Sequence, residues 1–169
     1  MKKLFYQKGT TIVELLLYMA ILSIFLTVLT SVFVQALDVQ SESQATSSVE
    51  QDGNYILARL NYDIHRAQSI NIPETNGAPP TNSFQIVIDG VDYTYSLDVN
   101  NNLIITNNAE VNNLNNFGSS VTAFSVTRLG NVGGIEDNLK ISFTVTSKVK
   151  RISGFESKNY ETNLSLRRQ

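Results

Sequence analysis

The 169-residue chain has no cysteine, one histidine and three prolines. Without cysteine there can be no disulfide, no thiolate metal site and no cysteine nucleophile. A lone histidine, His65, excludes a multi-histidine zinc or di-iron centre. A P-loop, a Rossmann glycine pattern and a nucleophile elbow are missing too. The net charge of −2 and a pI near 5.4 argue against bulk electrostatic capture of nucleic acid. Charge is also missing locally: from Leu15 to Leu37 there is no charged residue and no proline. A hydrophobic fraction of 42% is enough to build a core. The mean hydropathy of −0.06 averages two unlike halves.

As a helix, the run Leu15–Leu37 would be about 35 Å long, enough to cross the ~30 Å hydrocarbon layer of a bilayer. A core helix of a soluble domain seldom stays uncharged on every face for six turns. Lys2, Lys3 and Lys8 precede the run, and Asp38, Glu42, Glu50 and Asp52 follow it. The positive-inside rule then predicts a cytoplasmic N-terminus, with everything after Asp38 outside.

Downstream the pattern predicts an amphipathic helix. Leu57, Leu60, Ile64 and Ala67 recur at helical spacing, with Arg59, Asp63 and Arg66 on other faces. Ser41–Ser48 is weakly helical by propensity, and Gly53 is a point at which the rod could bend. Pro73 stops the helix, and Asn76-Gly77-Ala78-Pro79-Pro80 reads as a loop. Beyond Thr81 the period becomes two. Phe84, Ile86 and Ile88 alternate with Gln85, Val87 and Asp89, Asp89-Gly90 is a hairpin signal, and Val91–Leu97 continues the alternation. Leu103–Thr106, Val121–Leu129, Leu139–Lys150 and Tyr160–Arg167 are further strand candidates, with Asn107–Asn116 as a connection. Strands with one wet face predict an antiparallel sheet, whose dry face the helical stripe would cover.

The most informative stretch is Lys8-Gly9-Thr10-Thr11-Ile12-Val13-Glu14-Leu15-Leu16: a basic leader ending in glycine, then a glutamate at the mouth of an apolar helix. It resembles the class III signal of type IV pilins and type II secretion pseudopilins. Gly9, Thr11, Glu14 and Leu15 match that family's pattern, Ile12 and Val13 are apolar substitutes, and Thr10 stands where the family usually has phenylalanine. The segment Gln51–Ala67 and the stretches Val121–Leu129 and Asn163–Arg167 are similar to W-type minor pilins and J-type pseudopilins. The chain departs from the family in lacking the C-terminal cysteine pair of many major pilins. It also has Ser31 where a membrane-segment proline is often found.

The resemblance implies cleavage by prepilin peptidase between Gly9 and Thr10, N-methylation at Thr10, and a register role for Glu14 in subunit assembly. A glycine lets a protease draw the backbone close. The new ammonium of Thr10 would sit at the positive end of the helix dipole, and the Glu14 carboxylate one turn on can compensate it. An unpaired carboxylate at that depth costs roughly 2.5–3.5 kcal/mol. The bland reading of Glu14 is an interfacial carboxylate that merely offsets the helix dipole. Loss of the leader would leave ten basic against fifteen acidic side chains, moving the formal charge from −2 to −5.

The expected organisation is a basic leader (1–9), a transmembrane or filament-core helix (10–37), an amphipathic helix (38–72), a loop (73–83) and an antiparallel β domain (84–169). The fold class is α+β, pilin-like: a long N-terminal helix packed on an antiparallel sheet. The expected role is a minor pilin or pseudopilin of a type IV pilus-like or type II secretion filament, with no enzymatic activity. Its partners would be prepilin peptidase, other pilins and the inner membrane; the site would be the cell surface or periplasm after assembly. The alternative is a signal-anchored extracytoplasmic β-domain that binds a ligand and never polymerises. Val34-Gln35-Ala36 also has the small-residue spacing of a general signal-peptidase site, though the apolar run exceeds the usual 7–15 residues.

Other chemistry finds little support. Asp63 and His65 are two positions apart and point away from each other on a helix. Asp98, Asn100 and Asn102 have the opening spacing of a calcium loop, but Leu103 replaces the glycine and Ala109 the final acid. An asparagine turn explains them better, so no metal or cofactor is expected. Lys140, Lys148, Lys150, Arg151 and Lys158 gather late in the chain. A solvated sheet face that discourages edge pairing accounts for them, and DNA is not expected as a direct ligand.

Overall fold

A computed structural model describes residues 11–75, 77–108, 110–130 and 137–166. One helix, α1 (Ile12–Arg66), precedes eight strands: β1 (Ser69–Ile72), β2 (Ser83–Ile88), β3 (Val91–Leu97), β4 (Leu103–Asn107), β5 (Glu110–Asn113), β6 (Ser119–Gly130), β7 (Asp137–Arg151) and β8 (Gly154–Ser165). The chain falls into two compact units, 1–40 and 41–169.

In the first unit every helical residue is exposed except Glu14, which is half-buried. An 18-residue window here has a mean hydropathy of 2.5, and none of it is buried. By length and composition the helix can cross a bilayer. Its few hydroxyls are satisfied within the helix: Ser23, Thr27 and Thr30 donate to the carbonyls of Met19, Ser23 and Leu26 at 2.8–2.9 Å. Such back-bonding hides polar groups where no water is available to receive them.

The second unit packs the rest of α1 on antiparallel sheet. The buried stripe runs Ala45, Val49, Ile56, Leu60, Ile64 and then Ala67 just past the helix end. It meets Phe84, Ile86 and Tyr95 from one set of strands and Val121, Ile141, Phe143 and Val145 from the other. Phe84 stacks on Tyr95 with ring centroids 4.4 Å apart, and Phe143 stacks on Tyr160 at 5.3 Å. Each large side chain buried here contributes about 1.5–3 kcal/mol.

The expected single sheet is two. Strands β1–β5 form one in sequential order and β6–β8 the other, every pair antiparallel. Thr81 bridges them, exchanging backbone hydrogen bonds with Val126 at 2.9 Å in both directions. At the expected β2–β3 turn, Asp89 and Gly90 adopt φ of 51° and 76°, the left-handed geometry that a two-residue hairpin requires. In β6, Ala123 has a φ of 51° and the register shifts between Thr122 and Ser125. That bulge turns both Val121 and Phe124 inward, although they are an odd number of residues apart.

Five further expectations need correction. The helix does not reach residue 72. Its last turn closes with the Ala67 amide donating to Ile64, after which Gln68 donates to Val87 and Ser69–Ile72 pairs with β2. The Asn107–Asn116 connection contains β5, and β8 starts at Gly154 rather than Tyr160. Asp63, assigned to an outer face, is buried. Gly53 is no bend point: α1 runs through it unbroken, and a Cβ there would overlap the Tyr160 ring.

Candidate functional site at the start of the helix

Gly9 and Thr10 lie outside the described residues. Thr11 is the cap of α1: its Oγ1 accepts the Glu14 amide at 3.3 Å, and its carbonyl accepts the Leu15 amide at 3.1 Å. Thr11-Ile12-Val13-Glu14 has the spacing of a capping box, a signal in the sequence that the membrane motif overshadowed. The Glu14 carboxylate, however, accepts the Tyr18 hydroxyl one turn on, at 3.0 Å. An acid in the first turn complements the positive end of the helix dipole. Only one carboxylate oxygen has a side-chain partner in this contact, so Glu14 keeps acceptor capacity for a cation.

The remaining sequence candidates separate cleanly. His65 is exposed, whereas Asp63 points into the core. Asp98 accepts the backbone amides of Asn102 and Asn100 at 2.7 and 2.8 Å and the Asn102 side chain at 2.9 Å. Those donors, the Asn102 amide foremost, hold its carboxyl below the usual range. Asn101 supplies the left-handed residue, with φ of 59°. The Asp98 carboxylate therefore organises its own turn. Among the described residues no group of three or more His, Asp or Glu side chains is placed to hold a metal ion.

The late cations are largely paired. Lys140 meets Glu161 at 2.7 Å, Lys158 meets Glu50 at 3.0 Å, and Arg151 pairs with Glu42 and, at 2.6 Å, with Glu156. The Glu50 hydrogen bond raises the Lys158 pKa. The Lys140 and Lys158 pairs are exposed and screened by solvent, whereas the Arg151 guanidinium is largely covered.

Two buried carboxylates escaped the periodicity. Asp63 accepts from the Tyr95 hydroxyl and from Arg59 Nε at 2.7 Å. Asp52 accepts from the Ser119 hydroxyl and from the Asn116 amide at 3.1 Å. Asp52 and Asp63 sit three turns apart on the inward face of α1, one anchored to each sheet. Burial, then the Asp63 hydrogen bond, pushes the Tyr95 pKa well above the ordinary tyrosine value. Charged residues on a helix suggest an outer face; nothing local in the sequence marks these two as inward. No family model, curated protein or solved structure matches this chain.

Proposed function

We propose that this chain is a minor pilin or pseudopilin, a subunit of a type IV pilus-like or type II secretion filament, matured between Gly9 and Thr10 by prepilin peptidase. One observation carries the reading: a single helix holds a bare apolar half with a carboxylate in its first turn, and continues into the spine of an antiparallel β domain. The Gly9–Glu14 motif supplies the chemistry. In this reading the apolar half waits in the inner membrane with the β domain outside, then moves into the helical core of the filament. Cleavage frees the Thr10 ammonium, and Glu14, held by Tyr18 on one side, pairs with such an ammonium on a neighbouring chain. That pairing removes the cost of an isolated charge in an apolar environment and fixes the axial register between subunits. The likeness to W- and J-type subunits favours a small initiating complex with other minor pilins over a place in the bulk of the filament.

Mass spectrometry of the membrane-extracted protein tests this. A mature chain beginning at Thr10, with or without an N-methyl group, is the expected result. A start after Ala36, or an uncleaved Met1, overturns it; the first points to an ordinary exported domain and the second to a signal-anchored binding protein.

A further inference from the structure

The β7–β8 hairpin turns over at Ile152 and Ser153, with Arg151 opposite Gly154. Turns of this kind usually expose polar residues. Here Ile152 is 87% exposed, and Phe155, the cross-strand partner of Lys150, is 54% exposed. Phe117, immediately before β6, is 95% exposed, and the Lys148 ammonium lies 5.6 Å from its ring centroid. The Lys148 amide donates to the Gly118 carbonyl at 2.8 Å, so Phe117 belongs to the same end of the β6–β8 sheet. Lys148 and Lys150 are both exposed, and neither has an acidic partner among the described residues. Arg151 differs, being engaged by Glu42 and Glu156. The surface is apolar at its tip and cationic at its flank.

The occupant follows from the chain itself. Arg151 ties the tip to Glu42, and Glu42 lies five residues after Leu37, where the uncharged run ends. Five residues reach at most about 18 Å by any path. On the reading that Leu15–Leu37 spans a bilayer, on which this inference rests, the Glu42 backbone stays within that reach of the lipid surface, and its pair with Arg151 holds the tip beside it. Aromatic and branched side chains flanked by lysines suit the boundary between headgroups and acyl chains.

We propose that this end of the β6–β8 sheet is a second, interfacial membrane contact: Ile152, Phe155 and Phe117 enter the headgroup boundary, and Lys148 and Lys150 meet anionic lipid phosphates. The contact holds the β domain against the bilayer before the subunit leaves it.

The cysteine-free chain permits a direct test. Ser153→Cys, Asn112→Cys and Phe25→Cys are each labelled with an environment-sensitive fluorophore in the full-length protein. Each is reconstituted into vesicles of phosphatidylethanolamine and phosphatidylglycerol carrying brominated lipid. The label at 153 is expected to be blue-shifted and quenched, and the label at 112 on edge strand β5 neither. Quenching at 153 should fall about threefold or more when Lys148→Glu and Lys150→Glu are combined, or when phosphatidylglycerol is omitted. A label at 153 no more quenched than that at 112, while the label at 25 is quenched, overturns the contact and leaves the membrane span standing. An unquenched label at 25 overturns both. A label at 153 that is blue-shifted but unquenched assigns the tip to a protein neighbour and also overturns the proposal.

Discussion

At Asp63 a single carboxylate oxygen receives both the Tyr95 hydroxyl and Arg59 Nε, in a place with 1% exposure. A buried charge is tolerated only when its hydrogen bonds are complete. Asp63→Ala leaves the Tyr95 hydroxyl unsatisfied and Arg59 without its partner. It is expected to cost about 3 kcal/mol in urea unfolding, against about 1–2 for Tyr95→Phe. The same cluster gives a pH signature. Near pH 10 and above, the unfolded chain releases a proton that folded Tyr95 keeps. Its contribution to stability is therefore complete below about pH 10 and falls as pH rises beyond it, by about 1.4 kcal/mol per unit. Tyr95→Phe should flatten the loss of stability between pH 10 and 11 relative to the parent, measured by urea unfolding at each pH. An unchanged slope would show that Tyr95 is not the group responsible. None of this was legible in the sequence, where Asp63 stands between Tyr62 and Ile64 with the ordinary look of a surface acid. Its partner Tyr95 is 32 residues away, and only the packing of β3 against α1 brings them together.

Elements were easier to read than their edges. In β2 and β7 alternate residues are buried, and both strands announce themselves by alternation; β3 alternates in sequence although only Tyr95 in it is buried. β5 does not, because all four of its residues are exposed and its pattern carries no apolar period. β1 is four residues long and follows directly on a helical pattern, too short for its own period to dominate. The period shows the stripe on α1 at Leu60, Ile64 and Ala67 but places Leu57 in it where the structure buries Ile56, and it does not extend to Ala45 and Val49, which lie in or beside the serine-rich segment. Gly53 carries an ambiguous signal: a glycine in a helix marks a bend or a close approach, and here it is the second. Tyr160, its hydroxyl donating to the Val49 carbonyl at 3.1 Å, fills the space left by the missing side chain. Gly53→Ala should gain about 1 kcal/mol of helix propensity, yet destabilise the protein by about 2 kcal/mol through overlap with the ring. In a Tyr160→Ala background the same substitution should be neutral or stabilising. Additive effects in that double-mutant cycle would refute the contact as the cause.

For the whole molecule, the division between an apolar helical unit and a β-domain unit is legible from charge alone, since a long uncharged run needs no partner fold to reveal it. The candidate site was legible as a motif, and the structure adds Thr11 as its cap and Tyr18 as the partner of Glu14. Under the proposed function, Glu14→Val should leave cleavage and membrane insertion intact. It should reduce co-purification with other filament subunits by about tenfold, the equivalent of 1.4 kcal/mol. Undiminished co-purification would remove the register role. The two buried carboxylates bear on how firmly α1 is held in place. Asp52 and Asp63 are eleven residues apart, about 17 Å along α1, and each is fastened to a hydroxyl on a different sheet. Sliding α1 by one turn, about 5.4 Å, would strip both carboxylates of their partners at once and leave them against apolar side chains. An apolar seam alone resists shear weakly, because one greasy contact replaces another as the surfaces slip. This seam is pinned at two points, so displacement of α1 along its axis is opposed by both sheets at once.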